Sequence, residues 1–259
     1  MSYFLSSLPL SISIVLLVVI PTVIAMSAQA LIHRWVGVEK LVQNNEIAGF
    51  KFATVGVIYA VLLAFTVIVV WEKFSAAENA VDQEAASIAA LLRYAEGKEP
   101  AAVALRQSVA DYARTAIRDE WPAMEKEYES PATSRALDTV YGAALALSRA
   151  GTRETADMAE VFAQIDNITA SRRIRLHLAT GLVPNIIWAA LFAGALLTVG
   201  FTLFFGSENL LAQIAMTGVL STLVTLGLVV IVSIDHPFTG PVSVHPDPIA
   251  NVLAEFETP

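Results

Sequence analysis

Apolar and polar positions divide this chain into four long hydrophobic runs around a charged middle. The runs cover residues 8–31, 48–71, 185–205 and 210–234, and each reaches the about 20 residues that a helix needs to cross a bilayer. Lys51, near the start of the second run, is the one formal charge in any of them. Between the second and third runs the pattern changes to helical stripes separated by breakers. One helix continues from the second run to about Ala95 and stops at Gly97. The next starts with Pro100 in its first turn, carries Leu105, Val109, Tyr112 and Ala116 on one face, and ends before Pro122. Ser130 as N-cap and Pro131 as first residue open a third, with Leu137, Val140, Ala144 and Leu147 as its stripe until Gly151. A fourth runs from Thr152 through Met158, Val161, Ile165 and Ile168 to Arg172, Arg173 and Arg175, before Gly181 and Pro184 lead into the third run. No stretch has the alternation of a strand, and no segment repeats. The pattern predicts an all-α membrane protein with four transmembrane helices. Residues 1–71 form a transmembrane hairpin with an interfacial linker, and 72–184 a soluble helical domain. A second hairpin with a Pro-rich acidic C-terminal tail covers 185–259, and the second span continues into the domain as one long helix.

Composition strengthens that reading. Of 259 residues 56% are hydrophobic and 15% charged, and the mean hydropathy is +0.61. Thirteen of the sixteen Lys and Arg and seventeen of the twenty-four Asp and Glu lie within residues 72–185, which sets that segment apart as the water-facing part. The net charge of -8 argues against nucleic acid as a partner. Ala28-Gln29-Ala30 looks like a signal-peptide cleavage site, but no Lys or Arg precedes the first run, so it is expected to remain as a span. Absence of cysteine excludes disulfides, thiolate metal sites and cysteine nucleophiles. Orientation follows from basic residues near span ends. Lys73, Arg172, Arg173 and Arg175 on the domain side, against Arg34, Lys40 and Lys51 on the other, favour a cytoplasmic domain and cytoplasmic termini. Trp71 and Trp188 mark the headgroup level on the domain side, and Trp35 sits in a segment that is either a short interfacial helix or a solvated loop. Pro21, in the middle of the first span, is a candidate kink.

The second span and its continuation carry one seam with steps of three and four: Phe52, Gly56, Tyr59, Leu63, Thr66, Val70, Lys73, Ala77, Val81, Glu84, Ile88, Leu91 and Ala95. Such a seam faces protein. In one reading it packs against its own bundle, with Glu84 at a frayed edge or paired to an Arg. In the other, copies of the helix surround an axis, Phe52 to Val70 line a pore, and Glu84 with Glu72 and Glu78 charge its mouth. Lys51 either snorkels to the headgroups or forms a positive entry together with Asn44, Asn45 and Glu46. Small residues in the third and fourth spans, among them Gly194, Thr198, Gly218 and Thr222, predict close helix packing.

Catalytic constellations are missing. His33, His177, His236 and His245 have no metal-like spacing, and phosphate-loop, dinucleotide, zincin and nucleophile-elbow motifs are absent. Asp235, His236, His245 and Asp247 are the one conceivable metal set, in a proline-rich tail expected to lie in water. No enzyme activity, metal or cofactor is therefore expected.

The block NNEIAGFKFATVGVIYAVLLAFTVIVVWEKFSAAENAVDQEAASIAALLR, from Asn44 to Arg93, and the tail IDHPFTGPVSVHPDPI, from Ile234 to Ile249, resemble the bestrophin-like family of unknown function, a group of four-span membrane proteins. The likeness covers essentially the whole chain. It extends more distantly to the bestrophins, oligomeric chloride channels whose second span lines a narrow neck. The resemblance implies a homo-oligomeric channel in the lipid bilayer, passing small inorganic ions, with Tyr59, Leu63 and Thr66 as neck positions by location. A bacterial inner membrane is the expected location. The chain departs from the bestrophins in lacking a phenylalanine-rich neck and an acidic calcium clasp, and its acidic seam leans toward cations. The competing expectation is a non-conducting sensor or scaffold whose helical domain binds a ligand or partner.

Overall fold

A computed structural model of the protein describes residues 2–43, 45–151 and 153–257. Asn44, a candidate for the pore mouth, and Thr152, the expected start of the fourth soluble helix, lie outside the described residues. Every regular element among those described is helical. In chain order they are α1 (Ser2–Ser6), α2 (Leu10–Val36), α3 (Val38–Val42), α4 (Asn45–Tyr94), α5 (Pro100–Thr115), α6 (Trp121–Met124), α7 (Pro131–Ala150), α8 (Thr155–Leu178), α9 (Asn185–Phe204), α10 (Leu210–Ile234) and α11 (Asp247–Glu257). The chain divides into a membrane unit, Met1–Glu72 with Gly181–Asp235, and a helical unit, Lys73–Thr180 with His236–Pro259.

In the membrane unit α2, α9, α10 and the first half of α4 are long and apolar enough to cross a bilayer. Small hydroxyl residues join α2 to α10: Thr22 Oγ1 donates to Ser221 Oγ at 3.2 Å, and Thr217 Oγ1 to Gln29 Oε1 at 3.4 Å. A Cβ on Gly218 would meet Met26 Sδ at 3.0 Å, so glycine sets how closely these two helices approach. Where α9 ends, Gln213 Nε2 donates to the freed Phe205 carbonyl at 2.9 Å. Asn45 clasps the Gly206 backbone from both sides, donating to its carbonyl at 2.7 Å and accepting from its N–H at 3.0 Å. Polar side chains thus satisfy backbone groups that lipid would leave unpaired.

The helical unit is built on the stripes predicted from periodicity. Leu105, Val109, Tyr112 and Ala116, then Leu137, Val140, Ala144 and Leu147, then Met158, Val161, Ile165 and Ile168 are all buried. Ser130 caps α7 by accepting from Thr133 N–H, and Gly151 ends it in the left-handed conformation at φ 65°.

The expected stop before Pro122 is corrected by the structure, because the helix passes through the proline. Residues 116–120 form a π turn in which Trp121 N–H bonds back to the Ala116 carbonyl, joining α5 to α6. Pro21 is treated identically: Val15–Val19 form a π turn closed by Ile20 N–H on the Val15 carbonyl. The extra residue in each wider turn takes up the proline's missing N–H and its ring, so the helix continues. A second difference concerns the tail, which is packed rather than solvated. His236, Phe238 and Thr239 are buried, Trp121 Nε1 donates to the Val244 carbonyl at 3.1 Å, and Ile249 and Leu253 of α11 are buried within the helical unit.

Candidate functional site

Helix α4 is the element that carries the candidate residues, and its length follows from its sequence. Residues 45–94 contain no proline, and Gly49 and Gly56 are its sole glycines, so nothing interrupts the backbone ladder where lipid gives way to water. The seam of three- and four-residue steps is the face this helix turns toward its own chain. Tyr59, Thr66, Val70, Ala77, Val81, Glu84, Ile88, Leu91 and Ala95 are buried. Lys73 departs from the seam and is exposed.

In the membrane half Phe52, Tyr59 and Leu63 of the seam pack on other helices of the same unit. Phe52 packs its ring against Phe201 and Phe205, with centroids 5.9 and 5.6 Å away. Tyr59 lies on Gly194, where a Cβ would be 2.4 Å from its ring. Leu63 lies on Gly227 at 2.5 Å by the same measure. Thr66 Oγ1 donates to the Leu62 carbonyl at 2.8 Å, and Val70 is 1% exposed. Gly56 is partly covered, with no atom within 4 Å of the place its Cβ would take. Glu72, Glu78 and Lys51 point outward.

The opposite face of α4 carries a second periodic stripe that no part of the membrane unit covers. Phe50, Val57, Val61, Ala64 and Ile68 are exposed at spacings of seven, four, three and four. Beyond the apolar run the same face continues as Glu72, Asn79 and Asp82, all exposed, so the stripe turns acidic.

Glu84 belongs to a buried charge network in the helical unit. Its carboxylate accepts from Arg175 Nε at 2.9 Å and Nη2 at 3.1 Å, and from the Tyr112 hydroxyl at 2.7 Å. Arg175 Nη2 also donates to Glu120 Oε2 at 2.8 Å, and its guanidinium sits 4.5 Å above the Trp121 ring. Arg172 holds the other side of Glu120 through Nε at 3.0 Å and reaches Ser134 Oγ at 2.9 Å and Glu129 at 3.2 Å. Glu84, Arg175 and Glu120 are 0% exposed, so two acids and two arginines neutralise each other away from water. Burial opposes the charge on Arg175, but Glu84 and Glu120 outweigh it and hold the guanidinium above its usual range. Burial and the Glu84 charge push the Tyr112 phenol well above 10.0. Hydrogen bonding to Ser134 holds the Glu129 carboxyl below its usual range.

Sequence reading missed Glu120 and placed Arg172 and Arg175 among the charges at the membrane edge. The structure instead encloses both arginines in this network. Their spacing of three residues, on the face shared with Ile165 and Ile168, was the available signal. Two charges are thereby removed from the domain side of the orientation count.

Four apolar helices with a helical unit between the second and third, tied together by one 50-residue helix, define a four-span helical membrane protein of bestrophin architecture. The chain belongs to the family of the Bestrophin-like domain, whose profile matches residues 19–249. Its fold is similar to that of a crystallised single-substitution variant of a bacterial bestrophin homologue from Klebsiella pneumoniae. The TM-score is 0.76 at 14% identity, over 93% of this chain and 99% of that one. A second crystal structure of that homologue is similar with TM-score 0.73 at 15% identity, over 92% and 96% of the two chains. No curated protein matches the sequence.

Proposed function

We propose that the protein is a homo-oligomeric ion channel in which copies of α4 surround a pore. Two-sidedness of α4 is the observation that carries this reading. One periodic face is held by the protomer's own spans and helical unit, and the opposite periodic face is free for a symmetry axis. In this arrangement Val57, Val61, Ala64 and Ile68 form the constriction, apolar and small enough to gate by dewetting. Phe52, Gly56, Tyr59, Leu63, Thr66 and Val70 fix the rotation of α4 that presents them. Glu72 and Asp82 supply rings of negative charge at the mouth, which favours small inorganic cations. Membership of the Bestrophin-like family and the fold shared with bacterial bestrophin homologues support the reading. A bacterial inner membrane is the proposed location. With Arg172 and Arg175 enclosed, Lys73 and Arg173 face Arg34, Lys40 and Lys51, and the count no longer favours one orientation.

Single-channel recording of purified protein under a salt gradient tests this. Unitary currents are expected to vanish in Ala64→Trp while the oligomer remains intact. Asp82→Lys should move the reversal potential toward anions. Unchanged conductance and selectivity in both variants would remove this face from any pore. One observation favours a second reading, a ligand-sensing scaffold: an open cavity of about 610 Å³ in the helical unit, walled in part by Arg172, Arg173, His177 and Thr180. Electrical silence of a properly assembled oligomer across voltage, pH and calcium would make that reading the better one.

A further inference from the structure

We propose that an anionic phospholipid binds a built groove in the membrane unit, with its phosphate between Lys40 and Lys51. The groove has a volume of about 570 Å³ and is lined by these two lysines together with Leu41, Ala48, Phe201 and Phe204. Its walls come from three places in the chain. Lys40 and Leu41 belong to α3, Ala48 and Lys51 to the first turns of α4, and both phenylalanines to the last turns of α9. All of them lie at span ends, the depth at which lipid headgroups sit.

Charge is what makes this groove specific. No carboxylate lines it, and among the described residues neither lysine is in an ion pair. Two ammonium groups lining one groove, one from α3 and one from α4, repel each other until an anion lies between them, and the low dielectric at a membrane edge strengthens both the repulsion and its relief. The rest of the lining is aliphatic and aromatic, which a free phosphate would leave unused. A phospholipid uses both parts, because its phosphate meets the ammonium donors and its acyl chain covers Phe201 and Phe204. The shape and charge therefore fit an amphiphile with an anionic head. Lys51 is in this view neither a bare snorkelling residue nor an entry for permeant anions. Lipid binding is read out without any flux, so this inference stands or falls separately from the channel reading.

Native mass spectrometry of the purified full-length protein, titrated with phosphatidylglycerol or phosphatidylcholine, tests the site. Wild-type protein is expected to retain phosphatidylglycerol preferentially, by about fivefold for each lysine engaged. Lys40→Gln combined with Lys51→Gln should abolish the preference, whereas Lys51→Arg and the distant Lys126→Gln should keep it. Inorganic phosphate at equal concentration is expected neither to bind nor to displace the lipid. Thermal melting establishes that the variants are folded, and Lys51→Glu alone gives a second route should the double variant be unstable. Equal retention of the two lipids, a preference that survives both Lys51→Glu and the double variant, or displacement by inorganic phosphate would each overturn the proposal.

Discussion

At the scale of single residues, Glu84 shows how burial decides what a charge can do. An acid on the seam of a long helix is open to two roles, and the structure encloses it between Arg175 and Tyr112 with no exposed surface. Replacing it with lysine sets like charges against each other in a dry interior. Glu84→Lys is therefore expected to destabilise the helical unit by about 3–5 kcal/mol, measured as a large drop in melting temperature and loss of the assembled protein. A normally folded variant with altered selectivity would instead give Glu84 a role in permeation. Tyr112 makes a pH-dependent prediction. Its phenol is held above 10.0 in the fold, so the neutral form is the stable one there. The unfolded chain ionises first as pH rises, and the stabilisation is complete below pH 10 and is lost progressively above it. Tyr112→Phe should cost about 1.5–3 kcal/mol at neutral pH and flatten the fall in melting temperature above pH 10.

At the scale of elements, glycine and proline decide how the spans pack. Gly194 lies beneath the flat ring of Tyr59, and Gly227 beneath a methyl group of Leu63. A leucine methyl can rotate aside, whereas the larger, rigid ring of buried Tyr59 finds less room to turn. Gly194→Ala is thus expected to cost about 1–3 kcal/mol and Gly227→Ala less, with Leu63→Ala restoring the second variant. Melting curves of the purified protein in one detergent give the comparison. Equal losses in both variants would mean that the two contacts share the same rigidity. The π turns ahead of Pro21 and Pro122 were not legible in the sequence, since a proline in a helical pattern signals a stop or a kink equally well. Which outcome follows depends on neighbours that hold the helix together on both sides.

At the scale of the whole molecule, the question is what covers the second face of α4. The chain has no cysteine, so a single introduced thiol reports on one position without background. Ala64→Cys is expected to cross-link between copies with a short bis-maleimide if α4 surrounds an axis. Leu211→Cys, on the exposed surface of α10 at 79%, should not. Cross-links of equal yield at both positions would indicate random collision in the detergent micelle rather than a defined ring.

The sequence by itself determined the four spans, the helical stripes of the middle segment, the continuous α4 and the family. Each of these depends on local pattern: runs of about 20 apolar residues, periodicity near 3.6, caps and the absence of breakers. Tertiary structure alone decided that the seam of α4 is the face turned toward its own chain, because a periodic stripe states that something packs on it without saying what. It also decided that Arg172 and Arg175 lie inside the protein, since pairing with Glu120 and Glu84 joins residues 52 to 91 positions apart. The packing of His236, Phe238 and α11 into the helical unit was hidden for a related reason. Proline-rich composition describes how a backbone bends, whereas burial depends on the surface it happens to meet.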